Sequence, residues 1–253
     1  MAGRRTGIRL WSSVADLNFA LALWVRGEWP EMHEFMNDRR QWSPGGDVAS
    51  AAAIDAMLAH GLGREYSDTF DLPGEGDLPV AFDRAWLHFV RAYRSVIDDD
   101  PVTALGHAVR AAETYVGVAD DFHHIWALAM DLAVEVGDPQ EESRVLALVD
   151  GVNVAIPVGL RAHRARQAAI SARRDGAPPD TVEHQYRTAM ALYDEWGAVV
   201  FTARAQGELG AWLSREGRTM EAIPLLDAAR TTLSAAGARR WLDDLDLALV
   251  RVG

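Results

Sequence analysis

The chain has 253 residues, 49% of them hydrophobic and 25% charged, which is enough for one large domain or two small ones with a real core. Its formal net charge is −12, which disfavours direct DNA binding because such binding rests on excess Lys and Arg that neutralise phosphates. There are no cysteines, so disulfides, thiolate metal sites and a cysteine nucleophile are excluded.

The N-terminal segment imitates a signal peptide only weakly. Arg4, Arg5 and Arg9 precede an apolar run at Phe19–Val25, and Arg26 closes that run after seven residues. This length is too short for a membrane span, and no other stretch of the sequence is long enough. All 25 basic residues are arginine, a bias that is typical of GC-rich bacterial genomes. We therefore expect a cytoplasmic bacterial protein that does not contact a membrane.

Tight-turn residues recur along the chain at a drifting interval. They are separated by 36, 36, 38, 39 and 41 residues and are Gly27, Gly63, Asp99, Gly137, Gly176 and Gly217. A drifting period of this size is typical of degenerate helical-hairpin repeats, since loops vary in length while packed faces are kept. No stretch shows sustained strand alternation. The sequence therefore predicts an all-α fold, a right-handed solenoid of antiparallel helical hairpins.

We expect this solenoid to form a single domain over residues 1–253. Its predicted hairpins span residues 12–42, 47–78, 80–116, 120–151, 157–196 and 198–236, followed by a capping helix at 240–251. The hairpin at 47–78 is degenerate because prolines and glycines interrupt its second half. By contrast, Asp100-Pro101 and Asp138-Pro139 each supply an N-cap and a proline that suits the first helical position.

Two groups of residues suggest chemistry, and each has a purely structural alternative. His123 and His124 invite a metal hypothesis, but adjacent residues on a helix point in different directions. Asp120 with His124 has the helical spacing that ligands need, but a third ligand is lacking. We interpret the pair as surface histidines at a helix start. The tryptophans at helical spacing beside Leu and Ala are interpreted as core anchors rather than stacking surfaces: Trp24, Trp86, Trp126 and Trp212.

Sequence motifs for catalysis are missing from the chain. No serine lies in a GxSxG elbow, and no glycine-rich phosphate loop occurs. We therefore predict a protein that is not an enzyme and that holds no cofactor and no metal.

The segment from Ala203 to Ala229 reads as a helix, a tight turn and a second helix. With Gly217 as the fifteenth position of a hairpin of about 34 residues, the signature positions of a tetratricopeptide repeat fall on Leu209, Gly210, Ala222, Leu226 and Ala229. This hairpin therefore resembles the tetratricopeptide-repeat (TPR) family. Two family positions differ, since the aromatic at position four is Gln206 and the proline at position thirty-two is Ser234.

The C-terminal part also resembles a larger architecture. From Gly159 onward, with the phrase LLDAARTTLSAAGA and a short last helix, it is similar to the C-terminal helical repeats of LuxR- and MalT-type ATPase regulators and their cyclase-linked relatives from GC-rich bacteria. The nucleotide-binding loop and the helix-turn-helix of those regulators have no counterpart in this sequence. The resemblance therefore implies neither ATPase activity nor direct nucleic-acid binding for this chain.

One predicted helix is strongly basic within an acidic protein. Between residues 161 and 174 it carries five arginines and no acidic residue. The TPR resemblance implies that positions two, five and twelve of a first helix line a concave groove that clamps peptide carboxylates. In that register the groove residues are His163, Arg166, Arg173 and, from the next hairpin, Arg204. The alternative is that the arginines pair with acidic helices nearby, because exposed ion pairs are common.

Three functional hypotheses follow. We expect a non-enzymatic scaffold or sensor module that binds a protein or peptide, with an acidic partner, in bacterial regulation. The alternative is a small-ligand sensor, since MalT-type repeats are thought to hold an inducer, and a small anionic ligand would suit the predicted groove. The third hypothesis is an enzyme with an unrecognised all-α site. The oligomeric state and the identity of any partner stay open.

Overall fold

A computed structural model describes residues 3–40, 48–66, 70–115, 122–150 and 156–250. Within these ranges the chain forms twelve α-helices and one turn of 3-10 helix, and it contains no strand. The prediction of an all-α fold is therefore confirmed. The arrangement of the helices as a right-handed solenoid stays a prediction.

The chain divides into two compact units. Unit 1 comprises Met1–Trp24, Pro30–His60 and Arg64–Val154, and unit 2 comprises Val25–Trp29, Gly61–Gly63 and Ala155–Gly253. The single domain predicted over residues 1–253 stays a prediction, as do the limits of its hairpins. Six of those limits, residues 42, 47, 116, 120, 151 and 251, fall outside the described residues.

The helices are numbered in chain order. In the N-terminal part they are α1 (Gly3–Arg26), α2 (Trp29–Arg40), α3 (Val48–Gly61), α4 (Ala81–Ile97), α5 (Pro101–Tyr115), α6 (Phe122–Val136) and α7 (Pro139–Asp150). In the C-terminal part they are α8 (Val158–Arg174), α9 (Pro179–Trp196), α10 (Val199–Arg215), α11 (Thr219–Ala236) and α12 (Arg239–Val250). Between α3 and α4, the described residues contain only the 3-10 turn Glu75–Asp77, and Ser67–Thr69 lie outside them.

Every residue that was used to measure the repeat adopts the left-handed backbone conformation. The φ angle is 61° at Asp99 and lies between 60° and 77° at Gly27, Gly63, Gly137, Gly176 and Gly217. This conformation ends a helix and costs glycine little, because glycine has no Cβ. Asp99 tolerates it better than most residues would, since a short polar side chain can bond locally. The turn residues that recur in the sequence therefore mark the ends of helices.

Helix caps and core anchors have the structural roles that the sequence predicts. Asp100 Oδ1 and Asp138 Oδ1 accept backbone N–H groups from the first turns of α5 and α7, at 3.0 and 2.9 Å respectively. In unit 1, Trp126 Nε1 on α6 donates to the Val145 carbonyl on α7 at 2.9 Å. The four tryptophans interpreted as core anchors are all buried: Trp24, Trp86, Trp126 and Trp212.

In unit 2, consecutive helices from α8 to α12 pack against each other, and α12 also packs on α10. Gly210 of α10 faces Leu226 of α11 so closely that a Cβ at residue 210 would lie 2.7 Å from Leu226 Cγ. α12 adds the buried side chains of Trp241 and Leu245. The two helices that carry the TPR-like sequence positions therefore meet where residue 210 has no side chain.

Replacing Gly210 by alanine should lower the free energy of unfolding by about 1–2 kcal/mol, because the clash with Leu226 outweighs the gain in helix propensity. The matched control is Gly106→Ala in α5, where an added Cβ meets no atom within 4 Å. That variant should raise the free energy of unfolding by about 0.5–1 kcal/mol. Urea denaturation measures both changes, and stabilisation by Gly210→Ala would contradict the close approach of α10 to α11.

Candidate functional site

A cavity of about 110 Å³ lies in unit 2. Residues from α8, α10, α11 and α12 line it: Arg173, Arg204, Gly207, Glu208, Ala211, Arg215, Leu233, Trp241, Asp244 and Leu245. Part of this lining is apolar, and the rest carries five charged side chains, of which three are arginines. We name it the α10 cavity, because α10 supplies five of its ten lining residues.

The contribution of α10 follows from helix periodicity. Arg204, Glu208, Ala211 and Arg215 succeed one another at spacings of four, three and four residues, so they share one face of the helix. Gly207 lines the same cavity, and a Cβ there would lie 3.1 Å from Leu245 Cδ1. The missing side chain at residue 207 therefore helps to keep this part of the wall open.

Two of the three arginines of the wall have partners among the described residues. Arg204 is held on two sides, since its Nε lies 3.5 Å from Glu208 Oε1 and its guanidinium lies 5.2 Å from the centre of the Trp241 ring. Arg215 Nε donates to a carbonyl of its own helix at 3.2 Å. Arg173 is half-buried, and within the described ranges no hydrogen bond or ion pair engages it. Arg173 therefore offers its guanidinium donors to a ligand.

Behind this wall, Arg166 and Glu208 join α8 to α10. Arg166 Nε donates to both carboxylate oxygens of Glu208, at 3.1 and 2.9 Å, and its Nη2 donates to Oε1 at 2.6 Å. Arg166 is only 3% exposed, so a two-point contact with a carboxylate compensates its charge in the interior. Arg166 thus fixes the position of Glu208 and does not itself line the cavity.

The formal charge of the cavity wall is slightly positive. Three arginines face Glu208 and Asp244, which leaves one positive charge in excess. Although half of the Asp244 side chain is exposed, desolvation by the surrounding protein raises the pKa of its carboxyl group, and the nearby Arg204 opposes that shift. The wall therefore attracts an anion but disfavours a second negative charge close to Asp244.

The structure brings together two of the four residues predicted to line one groove. Arg173 and Arg204 line the α10 cavity, and Arg166 lies behind its wall. His163 is elsewhere: it is 2% exposed, its Nδ1 lies 2.8 Å from Tyr193 Oη, and its ring contacts that of Phe201 edge to face. The predicted position of His163 in a groove is therefore corrected to a position in the core, because aromatic rings of α9 and α10 enclose it.

Sequence reasoning missed other residues of the cavity. Glu208 and Arg215 follow Arg204 by four and eleven residues, and that helical spacing was a signal that they share its face. Trp241, Asp244 and Leu245 of α12 are also spaced by three and four residues, which indicated that they share a face. That spacing did not indicate that this face packs towards α10, because the packing partner of a helix is not encoded in its periodicity.

A second cluster of titratable side chains lies in unit 1. His88 Nε2 on α4 lies 3.3 Å from Glu75 Oε1 in the 3-10 turn, and His88 Nδ1 lies 3.4 Å from Nδ1 of His107 on α5. Burial lowers the pKa of both histidines, Arg91 and Arg110 lower it further, and Glu75 opposes the shift. The His88 imidazole in turn lowers the pKa of the Glu75 carboxyl group. The cluster is therefore a histidine pair, neutral at pH 7, that lies between the 3-10 turn, α4 and α5.

His123 and His124 do not lie on the surface, so that part of the sequence interpretation is wrong. Both are buried, with ring centroids 4.1 Å apart, because the first turn of α6 is buried around most of its circumference. Asp120, the other residue of the metal hypothesis, lies outside the described residues. Across the described parts of the chain, no three His, Asp or Glu side chains form a group that could hold a metal ion.

Replacing Arg166 by alanine should lower the free energy of unfolding by about 3 kcal/mol, because it breaks a buried ion pair and removes the main partner of Glu208. Urea denaturation followed by circular dichroism measures the change. The matched control is Arg161→Ala on the same helix, whose pair with Glu195 is exposed and should contribute less than about 1 kcal/mol. Equal losses in the two variants would contradict a structural role for the buried pair.

Acid should destabilise the protein through the histidine pair. Because the folded-state pKa of His88 and His107 lies below the ordinary value of 6.5, the unfolded state binds more protons between those values. Stability should therefore be constant above about pH 7 and fall as the pH drops below 6.5. Glu75, whose pKa is also lowered, should add a further loss only below its ordinary range.

Urea midpoints at pH 7.5, 6.5 and 5.5 test this expectation. His107→Gln should reduce the loss between pH 6.5 and 5.5, because one of the two depressed titrations is removed. The control is His184→Gln on α9, an exposed histidine, which should leave the pH profile unchanged. An identical profile in wild type and His107→Gln would show that the pair does not govern acid stability.

Comparison with known proteins does not indicate a function for the α10 cavity or for the histidine pair. The chain matches no protein-family model, no curated protein sequence and no solved structure with which it was compared. Among the described helices, none combines the length and the apolar character that crossing a membrane requires. Functional inference therefore starts from the geometry of the α10 cavity.

Proposed function

We propose that the chain is a non-enzymatic, TPR-like module that binds an acidic protein or peptide through the α10 cavity and acts in bacterial regulation. The packing of α8 on α9 and of α10 on α11 supports the repeat assignment, together with the TPR-like residues of the segment Ala203–Ala229. The resemblance to LuxR- and MalT-type regulators supports the cytoplasmic, regulatory setting.

The observation that carries this proposal is the state of Arg173. It lines the cavity and, in the part of the chain that the structure describes, has no hydrogen-bond or ion-pair partner, whereas Arg166 on the same helix is fully engaged by Glu208. The protein has a net charge of −12, so an arginine with a purely structural role could pair with one of many acidic side chains. The lack of such a partner for Arg173 among the described residues therefore favours a role in ligand binding. The planar guanidinium matches a carboxylate with two parallel hydrogen bonds.

A small-ligand sensor is the second candidate, and the dimensions of the cavity favour it. A space of about 110 Å³ holds one side chain or a small molecule rather than an extended segment of peptide. An enzyme is less favoured, because Glu208 is committed to Arg166 and no hydroxyl, thiol or imidazole group belongs to the described lining.

Partner binding should depend on Arg173 and not on its neighbour. Tagged wild type, Arg173→Ala and Arg174→Ala are used to capture proteins from a lysate of the source cell, followed by mass spectrometry. Arg174 is the matched control, since it is adjacent on α8, exposed and paired with Asp175. We expect a protein that wild type and Arg174→Ala retain and that Arg173→Ala loses. Calorimetry should show weakening by about 1.5–3 kcal/mol, and wild-type binding should weaken as salt rises.

The thermal midpoint of Arg173→Ala should stay close to that of wild type, because the guanidinium has no hydrogen bond or ion pair to lose among the described residues. Retention of the same proteins by all three forms would contradict the proposal. A thermal-shift screen with small metabolites tests the second candidate: stabilisation by one compound that disappears in Arg173→Ala, without any captured protein, would favour the small-ligand sensor.

A further inference from the structure

We propose that the α10 cavity recognises one carboxylate group carried on a short apolar stem. This inference rests on the proposed function and names the chemistry that the same site reads. Such a group occurs in a glutamate side chain of a partner and in a free short-chain carboxylic acid. Phosphate groups and groups with two negative charges are excluded by the same features.

The size of the cavity limits the ligand to a few non-hydrogen atoms. Its volume of about 110 Å³ is smaller than the engineered cavity of about 150 Å³ that accommodates benzene. A carboxylate with two to four carbon atoms fits within this limit, whereas a peptide backbone with its side chains does not. The cavity can therefore bind the end of one side chain or one small molecule.

The polar half of the wall suits a single carboxylate. Arg173 offers a planar set of donors, and Arg215 supplies a second guanidinium at the same cavity. Arg204 is less available, because Glu208 and the face of Trp241 already hold it. A planar guanidinium forms two parallel hydrogen bonds with a carboxylate, so the donors of Arg173 match the two oxygens of one such group.

The other half of the wall suits an apolar stem. Leu233, Leu245 and the Trp241 ring line it together with Ala211 and Gly207. The carbon atoms of these side chains offer no hydrogen bond to a hydrated anion such as phosphate, which would lose water against them without replacement. An aliphatic stem loses nothing there and gains from burial of its own surface.

Charge also selects a single negative group. The wall carries one positive charge in excess, and Asp244 is among its residues. A monoanion neutralises that excess, whereas a second negative charge would be repelled by Asp244. Desolvation raises the pKa of Asp244 even though Arg204 and Arg240, whose Nε lies 3.9 Å from Oδ1, oppose the shift.

The test is an NMR titration of the full-length chain with sodium butyrate, with butyramide as the uncharged isostere and sodium phosphate as the dianion, all at constant ionic strength. The indole N–H signal of Trp241, assigned by its loss in Trp241→Phe, reports occupancy. We expect a saturable shift with butyrate and none with butyramide or phosphate. Arg173→Gln should weaken butyrate binding more than about tenfold, and Arg174→Gln should leave it unchanged.

Two capped peptides distinguish the sources of the carboxylate. Acetyl-Ala-Ala-Glu-Ala-Ala-amide should displace butyrate if the natural ligand is an acidic side chain, and its glutamine counterpart should not. Binding of butyrate without displacement by the glutamate peptide assigns the site to a free short-chain acid. Both results support recognition of a carboxylate group and differ only in which molecule carries that group.

Several outcomes would overturn the inference. Equal shifts with butyrate and butyramide would show that charge is not read, and displacement of butyrate by phosphate would show that the apolar wall is not used. If butyrate does not bind but a captured partner still depends on Arg173, the carboxylate chemistry fails while the proposed function stands. If butyrate binds and no partner depends on Arg173, the protein-binding function fails instead.

Discussion

The contact between Arg166 and Glu208 is the constraint on which the α10 cavity depends. A guanidinium cannot lose its charge in a protein, so an arginine as buried as Arg166 needs a carboxylate close by. Glu208 meets that need from α10 and is held by three N–O contacts of 2.6 to 3.1 Å. Because Glu208, the only acid of α10, is bound by Arg166, Arg173 lines the cavity without a hydrogen-bond or ion-pair partner among the described residues.

The two units contain contrasting solutions to the problem of a buried titratable group. In unit 2 the charge of Arg166 is retained and paired. In unit 1, His88 and His107 avoid the cost of burial by remaining neutral, because desolvation and nearby arginines lower their pKa. The first solution holds over the whole physiological pH range, whereas the second depends on pH.

Helix ends could be predicted from the sequence better than side-chain partners. The turn residues from Gly27 to Gly217 mark left-handed backbone positions because few residues adopt them, so the signal is local. The TPR register groups Arg173 with Arg204, and both residues line the α10 cavity. The burial of His163 and the partner of Arg166 could not, because Glu208 is 42 residues away along the chain and its approach depends on how α8 and α10 pack. His123 and His124 show the same limit, since polar side chains at a helix start give no indication of burial.

The open volume of the α10 cavity depends on a single residue, Gly207. The space next to Leu245 remains open because one carbon atom is missing at residue 207. A single glycine-to-alanine change would place a methyl group against that leucine and reduce the volume available to a ligand, while the charged pair behind the wall would be untouched. One mutation at residue 207 can thus remove ligand binding while the fold is kept, and the reverse mutation can restore it. Evolution can therefore lose and regain this site with little effect on the stability of the protein.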